Sequence, residues 1–202
     1  VTGVQTCALP ILRKTGKVTH SIQTNGTLID DDWCELFKEE GFQIGVSLDG
    51  DALQNISRVN WSNNPAFEKI VNGITKLKDR NIKYGIIAVI NSNNVISPER
   101  FYNFFLSLGC NSLNINVEEK EGLNRFAKEI EQGLVKQFWI KLFQAWRENP
   151  KIKIREFHKV FSWILEINKK RKKKCRELWP TVSWNGDVRS EEHTSELQSP
   201  YV

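Results

Sequence analysis

The sequence predicts an α/β fold, because short β-type runs alternate with segments of helical periodicity through four strands. Two strand ends carry small polar residues: Thr24-Asn25-Gly26 ends the first run, and Ser47-Leu48-Asp49-Gly50 ends the next. One helix-length segment separates them. Because ligands of parallel α/β folds bind at the carboxyl ends of the strands, we expect a ligand near both ends.

The first two strand–helix units have clear start and stop residues. Residues 18–23 are predicted to be a strand, and the acidic run that begins at Asp30 supplies an N-cap for the first helix. Gly41 ends that helix, and residues 42–48 form the next strand. The apolar residues of the helix are expected to share one face: Trp33, Leu36 and Phe37.

The next two units follow a long connection, residues 50–65, which is a candidate functional loop. Residues 84–90 are an almost continuous apolar run, typical of a strand that is buried on both faces. Ser97-Pro98 begins another helix, which Gly109 ends, and residues 113–117 form the fourth strand. The two helices are predicted from apolar residues at helical spacing: Phe67, Ile70, Val71, Ile74 and Leu77 in one, and Phe101, Phe104, Phe105 and Leu108 in the other.

The pattern changes after residue 126. Residues 127–147 and 154–168 are predicted to be two long amphipathic helices, rich in Trp and Phe. Residues 169–176 are basic at every position except Cys175, a pattern typical of a solvated helix end. Residues 181–184 then read as a strand that enters a hairpin turn.

Both ends of the chain resemble translated adapter DNA. Residues 1–11 and 189–199 can be encoded by sequences that are reverse complements of each other, apart from one offset base at each end, and that resemble a common short-read sequencing adapter. We therefore interpret residues 1–11 and 189–202 as adapter translation and expect a reading frame truncated on both sides. The alternative is that both are genuine disordered tails.

The rest of the chain has ordinary single-domain size, with enough apolar residues for a core. Neither a membrane-spanning run nor a signal peptide is visible. Three cysteines remain, Cys34, Cys110 and Cys175, and their spacing gives neither a disulfide framework nor a complete metal site. We therefore expect a cytoplasmic protein without a membrane partner, and structural rather than metal-binding roles for Cys34 and Cys110.

Three motifs taken in order resemble the radical SAM enzymes of the sulfatase-maturase and SPASM-containing peptide-maturase group. The first runs from His20 to Ile29, the second from Gly45 to Gly50, and the third is Asn116-Val117-Glu118-Glu119. The third is similar to the cyclophane-forming maturases of glycine-rich-repeat precursor peptides. Arg155-Glu156 and the segment 182–187 also fit that subgroup.

This resemblance implies an incomplete (β/α)6 partial TIM barrel in which the four predicted strands are the third to sixth. It implies S-adenosylmethionine as cofactor, with Ser47 at its ribose or amino-acid part, Arg58 at its carboxylate and Asn116 at its adenine end. A guanidinium suits a carboxylate because its planar fork binds both oxygens. The full expected cofactor-binding set is Thr24, Asn25, Ser47, Asp49, Arg58 and Asn116.

The chain also departs from the family pattern. Asp51 replaces the usual proline, the loop to Arg58 is one residue shorter than usual, and Gln54-Asn55 replaces a His-Asp pair. The family's CxxxCxxC loop, which binds a [4Fe–4S] cluster, is absent, and none of the three remaining cysteines has the spacing to replace it. We therefore expect an intact protein that uses S-adenosylmethionine and a [4Fe–4S] cluster, and an inactive fragment.

The resemblance implies residues 12–125 as partial radical SAM core, 126–175 as a helical segment and 176–188 as the start of a SPASM-like region. The expected partners are a precursor peptide, which the intact enzyme would crosslink, and an electron donor. Two alternatives stay open: a sulfatase maturase that forms formylglycine, and a non-catalytic α/β module that binds a nucleotide or nucleic acid. The family favours a peptide over nucleic acid as partner of the basic run.

Overall fold

The computed structural model describes residues 19–118, 130–168, 181–182 and 188–189. These residues fall into two compact units. The first contains residues 19–118 and 130–158, and the second contains the remaining described residues. The domain boundaries expected at residues 125 and 175 lie outside the described residues.

The first unit is built on a parallel sheet of five strands in the order β1-β2-β3-β4-β5. Each strand lies beside its neighbour in sequence, and helices connect the first four, as expected for successive βα units. The α/β prediction is thus confirmed. The strands are β1 (Ser21–Thr24), β2 (Gln43–Ser47), β3 (Tyr84–Ile90), β4 (Ser112–Val117) and β5 (Lys153–Ile154).

Five helices accompany the described strands, and their caps show why they begin and end where they do. Asp30 accepts a hydrogen bond from the Trp33 backbone N–H at 3.0 Å, which confirms the predicted N-cap. Gly109 has a φ of 77° beyond the third helix, where a residue without a side chain is favoured. The helices are α1 (Asp31–Glu39), α2 (Phe67–Asp79), α3 (Pro98–Leu108), α4 (Gln132–Glu148) and α5 (Arg155–Asn168).

One face of the sheet is the core, and the other is open. Along β3, buried residues alternate with partly exposed ones, so the prediction of a strand buried on both faces is wrong. The apolar residues Ile87 and Val89 lie on the partly exposed face, which explains why the sequence reads as continuously apolar. The buried strand residues of the core face are Ile44, Val46, Tyr84, Ile86, Ala88, Ile90, Leu113, Ile115 and Ile154.

Helix α1 packs against the core through a different edge from the one predicted. Cys34 and Phe37 are buried, whereas Trp33 and Leu36 are 43% and 39% exposed. Helical periodicity identified the apolar residues, but the face it predicted includes Trp33 and Leu36, which are partly exposed, and leaves out Cys34, which is buried. A buried, apolar role for Cys34 agrees with the prediction.

Helix α2 approaches the end of β1 closely at two glycines. Gly26 has a φ of 73°, and a Cβ atom built on it would lie 2.9 Å from Cγ1 of Val46. A Cβ atom on Gly73 would lie 2.1 Å from the carbonyl oxygen of Gly26. Both positions therefore require glycine, and the contact fixes the turn after β1 against α2.

The short strand β5 was not predicted. The pattern assigned Ile154 to the following helix, but Ile154 pairs with Leu113 of β4 and is buried. Two residues are too few to show a period of two, so helical periodicity extended over them. The connection before β5 is fastened by the Tyr102 hydroxyl, which donates to the Asn149 carbonyl at 2.6 Å.

The second unit contains residues 159–168 of α5 and a two-stranded antiparallel ladder. Its strands are β6 (Thr181–Val182) and β7 (Val188–Arg189), in agreement with the predicted hairpin. Arg189 is also the first residue of the segment interpreted as adapter. The basic run 169–176 lies outside the described residues. Within the described part of the chain, no helix has the length and hydropathy needed to cross a membrane.

Candidate functional site

The open face of the sheet is arranged in rows that the strand register defines. Side chains at paired positions of parallel strands point to the same face. The row nearest the amino ends is the pair Ser21 and Gln43, the next is Gln23, Gly45, Gly85 and Ser112, the third is Ser47, Ile87 and Asn114, and the last pairs Val89 with Asn116. Ser47 and Asn116 therefore share one face near the carboxyl ends, as expected for the candidate site.

The row of glycines leaves a depression in this face. A cavity of about 470 Å³ lies toward the amino ends of the strands, where its lining includes Ser21, Gln23, Ser112 and Asn114 but neither Ser47 nor Asn116. Side chains at Gly45 and Gly85 would fill part of it, since their Cβ atoms would lie 2.9 Å from Ile87 Cδ1 and 2.5 Å from Ser112 Oγ. Asn114 was missed by the sequence reasoning, although its even spacing from Asn116 in a strand places both on one face.

The end of β2 is closed by the carboxylate of Asp49, which is 3% exposed. Backbone pairing continues to Leu48, whose N–H donates to the Ile87 carbonyl at 3.1 Å. The next donor of β3, the Val89 N–H, instead bonds Oδ1 of Asp49 at 2.8 Å. The side chain of Asp49 thus takes the place that a strand carbonyl would occupy.

Arg58 binds both oxygens of the same carboxylate. Its Nε donates to Oδ2 and its NH2 group to Oδ1 of Asp49, each at 2.7 Å. This bidentate ion pair is the fork-to-carboxylate geometry that was expected for the cofactor's carboxylate, but here the carboxylate is the protein's own. The prediction that Arg58 and Asp49 contact the cofactor stays a prediction, and any such contact would add to this pair or displace it.

Two buried asparagines complete the closure. Asn94 Nδ2 donates to the carbonyls of Asp49 and Val89, at 2.9 and 2.8 Å, and so joins the ends of β2 and β3. Asn55 Oδ1 accepts the Asp49 N–H at 2.9 Å. The Nδ2 atom of Asn55 is buried and has no hydrogen-bond partner among the described residues. Sequence reasoning missed Asn94, because its partner Asp49 lies 45 positions earlier.

The positions that depart from the family pattern have definite structural roles. Oδ1 of Asp51, where the resemblance implies a proline, accepts the N–H groups of Leu53 and Gln54 at 3.0 and 3.2 Å. The other carboxylate oxygen of Asp51 pairs with Arg100. Gln54 is buried and donates to the Ser97 carbonyl at 3.3 Å. The loop after β2 is therefore held against the beginning of α3.

The turn after β1 separates the two residues predicted there. Thr24 pairs with Val46 of the core face, and its Oγ1 accepts the Gly26 N–H at 3.1 Å. Asn25 is exposed, and its Oδ1 accepts the backbone N–H and the hydroxyl of Thr27 at 3.2 and 2.9 Å. The structure thus places Asn25 at the surface beside the site, and Thr24 on the other face of the sheet.

At the end of β4, Asn116 is exposed and is contacted by the beginning of α5. The Arg155 NH2 group donates to Oδ1 of Asn116 at 2.9 Å. Nε of Arg155 donates to Oε1 of Glu156, and Oε2 of Glu156 accepts the Ile115 N–H at 3.1 Å. Strand β5 pairs only with Ser112 and Leu113 and is too short to reach Ile115. The carboxylate of Glu156 accepts the Ile115 N–H instead.

The described residues do not fit an iron–sulfur cluster. No group of three Cys, His, Asp or Glu residues in the described part of the chain could hold a metal ion. Cys34 and Cys110 are buried and free. Desolvation raises the pKa of both thiols, that of Cys110 to about 12, so neither is available as a thiolate at neutral pH. Cys7 and Cys175 lie outside the described residues.

The open face offers hydrogen-bonding groups for a polar ligand at the carboxyl ends of β2 and β4, whereas its cavity lies toward the amino ends of the strands. Hydroxyl and amide groups stand at the strand ends, and the glycine row leaves space that side chains would fill. The Ser47 hydroxyl can donate and accept, and the Asn116 amide offers a donor beside the oxygen that Arg155 occupies. Such a set suits uncharged polar groups rather than a metal ion.

Comparison with known proteins shows what the first half of the chain is similar to. Residues 7–105 match the model of the Radical SAM superfamily. The chain is 40% identical over 94 residues to a serine-type anaerobic sulfatase-maturating enzyme of Bacteroides thetaiotaomicron, a match that covers 46% of this chain and 23% of that protein. It is 38% identical over 89 residues to a cysteine-type enzyme of Clostridium novyi, with 44% and 24% covered. Each match spans about a quarter of the relative.

Solved structures agree on the fold. Native anSMEcpe with bound AdoMet superposes with a TM-score of 0.67 at 26% identity, covering 76% of this chain and 44% of that one. Streptococcus suis SuiB bound to S-adenosylmethionine gives 0.54 at 13% identity, covering 73% and 35%, and supports the fold alone. The chain therefore carries a segment of a radical SAM domain and is homologous to the anaerobic sulfatase-maturating enzymes.

Proposed function

We propose that this chain supplies the S-adenosylmethionine-binding strands of a radical SAM peptide maturase. The observation that carries the proposal is that Ser47 and Asn116 share the open face at the carboxyl ends of β2 and β4. Ser47 would hydrogen-bond the ribose or amino-acid part of the cofactor, and Asn116 its adenine. Asn25 would contact the cofactor from the turn after β1.

A peptide substrate is supported by the relatives. The homologous enzymes are named for maturing sulfatases, which are polypeptides. One neighbour of the same fold was solved with its precursor peptide SuiA. Together with the motif Asn116-Val117-Glu118-Glu119, these observations favour a ribosomally made precursor peptide, in which the enzyme would form a crosslink with loss of two hydrogens.

The chemistry of such an enzyme is reductive cleavage of S-adenosylmethionine at a [4Fe–4S] cluster, with an electron donor as second partner. Cluster ligands would have to come from outside the residues that the structure describes. The described residues would bind and orient the cofactor. We propose that the chain as given is inactive by itself and that the intact enzyme is cytoplasmic.

Recovery of the source DNA tests two parts of this proposal. We propose that residues 1–11 and 189–202 are adapter translation, in which case the genomic reading frame will diverge at these points and will contain CxxxCxxC upstream. The family match begins at residue 7 and so includes residues 7–11 of the first segment, which makes the genomic sequence at this end the more informative of the two. An intact genomic frame that retains both ends and lacks the motif would defeat the maturase proposal.

Activity of the full-length protein tests the reaction. The reconstituted protein, incubated anaerobically with dithionite, S-adenosylmethionine and the precursor peptide encoded beside its gene, should release 5′-deoxyadenosine and yield a peptide lighter by two hydrogens. Mass spectrometry measures both products. Absence of 5′-deoxyadenosine from a protein that carries its cluster would contradict the proposal.

A second candidate is an anaerobic sulfatase maturase that forms formylglycine. It is favoured by the identity to enzymes of both the serine and cysteine types. A synthetic sulfatase peptide with its target serine or cysteine separates the two candidates, because only a sulfatase maturase would convert that residue to an aldehyde. An aldehyde-reactive hydrazide probe reads out the product, and the precursor peptide is the matched control.

A further inference from the structure

A closed ring of hydrogen bonds links the end of β4 to the first turn of α5. Glu156 accepts the Ile115 N–H at 3.1 Å and the Nε donor of Arg155. Arg155 in turn donates to Oδ1 of Asn116 at 2.9 Å. The ring therefore begins and ends on neighbouring residues of one strand.

The ring determines which way the Asn116 amide faces. A guanidinium carries only donors, so the group of Asn116 that meets Arg155 must be the oxygen. A flipped amide would direct its NH2 group at the guanidinium and lose the 2.9 Å hydrogen bond. The Nδ2 donor is thus held on the side of the amide away from Arg155.

Glu156 restricts the positions that the Arg155 guanidinium can adopt. An arginine side chain has several rotatable bonds, and the Arg155 side chain is 38% exposed. Its Nε bond to Glu156, whose other oxygen is tied to the backbone of β4, restricts the guanidinium to the neighbourhood of Asn116. An exposed pair of this kind contributes little to stability, so its effect is on orientation.

We infer that Arg155, held by Glu156, is a positioning residue that makes Asn116 a hydrogen-bond donor to an acceptor nitrogen of the adenine. This inference rests on the proposed function, in which Asn116 lies at the adenine end of S-adenosylmethionine. It goes beyond that function because it assigns base selectivity to two residues of α5. A ligand that presents a donor or a C–H group at that position would bind more weakly.

The test uses S-adenosylhomocysteine and its 1-deaza, 3-deaza and 7-deaza analogues, each of which lacks one acceptor nitrogen of adenine. Binding to the 202-residue chain is measured by isothermal titration calorimetry. One of the three analogues should bind about 5-fold more weakly than the parent compound, the loss of one hydrogen bond. In Arg155→Met, that ratio should fall below about 2-fold, because the amide is free to flip.

Control variants separate orientation from folding and from general loss of binding. Arg155→Lys retains a donor and should preserve part of the ratio. Arg147→Met changes an exposed arginine of α4 and should leave it unchanged. Ser47→Ala should weaken all four compounds alike and keep the ratio. Far-ultraviolet circular dichroism confirms that each variant is folded.

The outcomes distinguish the inference from the function on which it rests. If the parent compound binds but all three analogues bind equally, or if Arg155→Met keeps the ratio of the wild type, the inference is wrong and the proposed function stands. If the folded chain binds none of the four compounds, both are wrong. A ratio that falls in Arg155→Met and stays in Arg147→Met supports the inference.

Discussion

The ends of β2 and β4 lie on the same edge of the sheet but are built in opposite ways. At the end of β2, the Asp49 carboxylate is buried and bonded to Arg58 and to the Val89 N–H, and Asn94 joins the adjacent carbonyls. At the end of β4, Asn116 is exposed, and among the described residues only its oxygen is bonded, to Arg155. The first end is a structural closure, whereas the second exposes an amide to solvent.

Polar residues at a strand end can therefore either bond within the protein, as Asp49 does, or remain exposed, as Asn116 does. The acidic residue at the end of β2 is the more prominent in the sequence, yet its polar atoms are used within the protein. Ser47, two positions earlier, lies on the open face. Variants at the closed end should therefore reduce stability, and variants at the open end should reduce ligand binding.

The largest effect is expected from Arg58→Met. It leaves the buried Asp49 carboxylate without its bidentate partner, and loss of one partner of a buried ion pair costs about 3 kcal/mol or more. Urea unfolding measures the free energy. Arg100→Met is the matched control, because Arg100 pairs with Asp51 while 52% exposed and its loss should cost less than about 1 kcal/mol. Equal losses would contradict a closed β2 end.

Asn94→Asp should have the next largest effect. The new carboxylate would face the carbonyls of Asp49 and Val89, which now accept from Nδ2, and should destabilise the fold by about 2–3 kcal/mol. The exposed neighbour Asn93→Asp provides the control and should change stability by less than about 0.5 kcal/mol. Thermal unfolding of the two variants side by side checks this. If Asn94→Asp is no less stable than Asn93→Asp, the hydrogen bonds of Asn94 to the carbonyls of Asp49 and Val89 do not stabilise the fold.

Glu156→Ala should have an intermediate effect. It leaves the Ile115 N–H without its carboxylate acceptor and should cost about 1 kcal/mol in urea unfolding. The control is Glu148→Ala at the end of α4, for which we expect a smaller loss. A cost as large as that of Arg58→Met would mean that the β4 end is closed too.

Asn116→Ala should have the smallest effect on stability. The residue is exposed and its loss removes a single hydrogen bond at the surface, so we expect a change below about 0.5 kcal/mol in the free energy of unfolding. A loss above about 2 kcal/mol would assign Asn116 a structural role and remove the contrast between the two ends.

The sequence predicted those parts of the fold that depend on local signals. The cap at Asp30 and the stops at Gly41 and Gly109 were found because each acts within a few residues. Strand β5 was missed because two residues carry no periodicity. The buried face of α1 was misjudged because the helix packs through Cys34, which is 0% exposed, rather than through the larger apolar side chains Trp33 and Leu36.

The site was predictable only in part. Placement of Ser47 and Asn116 on one face follows from strand periodicity and register. The capture of Asp49 by Arg58 and Asn94 did not follow, because the loop geometry that brings Arg58 back and the 45-residue separation of Asn94 are tertiary features. The role of Arg155 likewise depends on the short β5, which brings the start of α5 to the end of β4.

Binding of S-adenosylmethionine to the chain tests directly whether a cofactor site lies at the carboxyl ends of β2 and β4. Isothermal titration calorimetry compares the 202-residue chain with Ser47→Ala and with Ser107→Ala, an exposed serine of α3 outside the open face. We predict that the wild type binds, that Ser47→Ala binds about 5-fold more weakly through loss of one hydrogen bond, and that Ser107→Ala is unchanged. No binding by the folded wild type, or equal losses in the two variants, would contradict a cofactor site at the carboxyl ends of these strands.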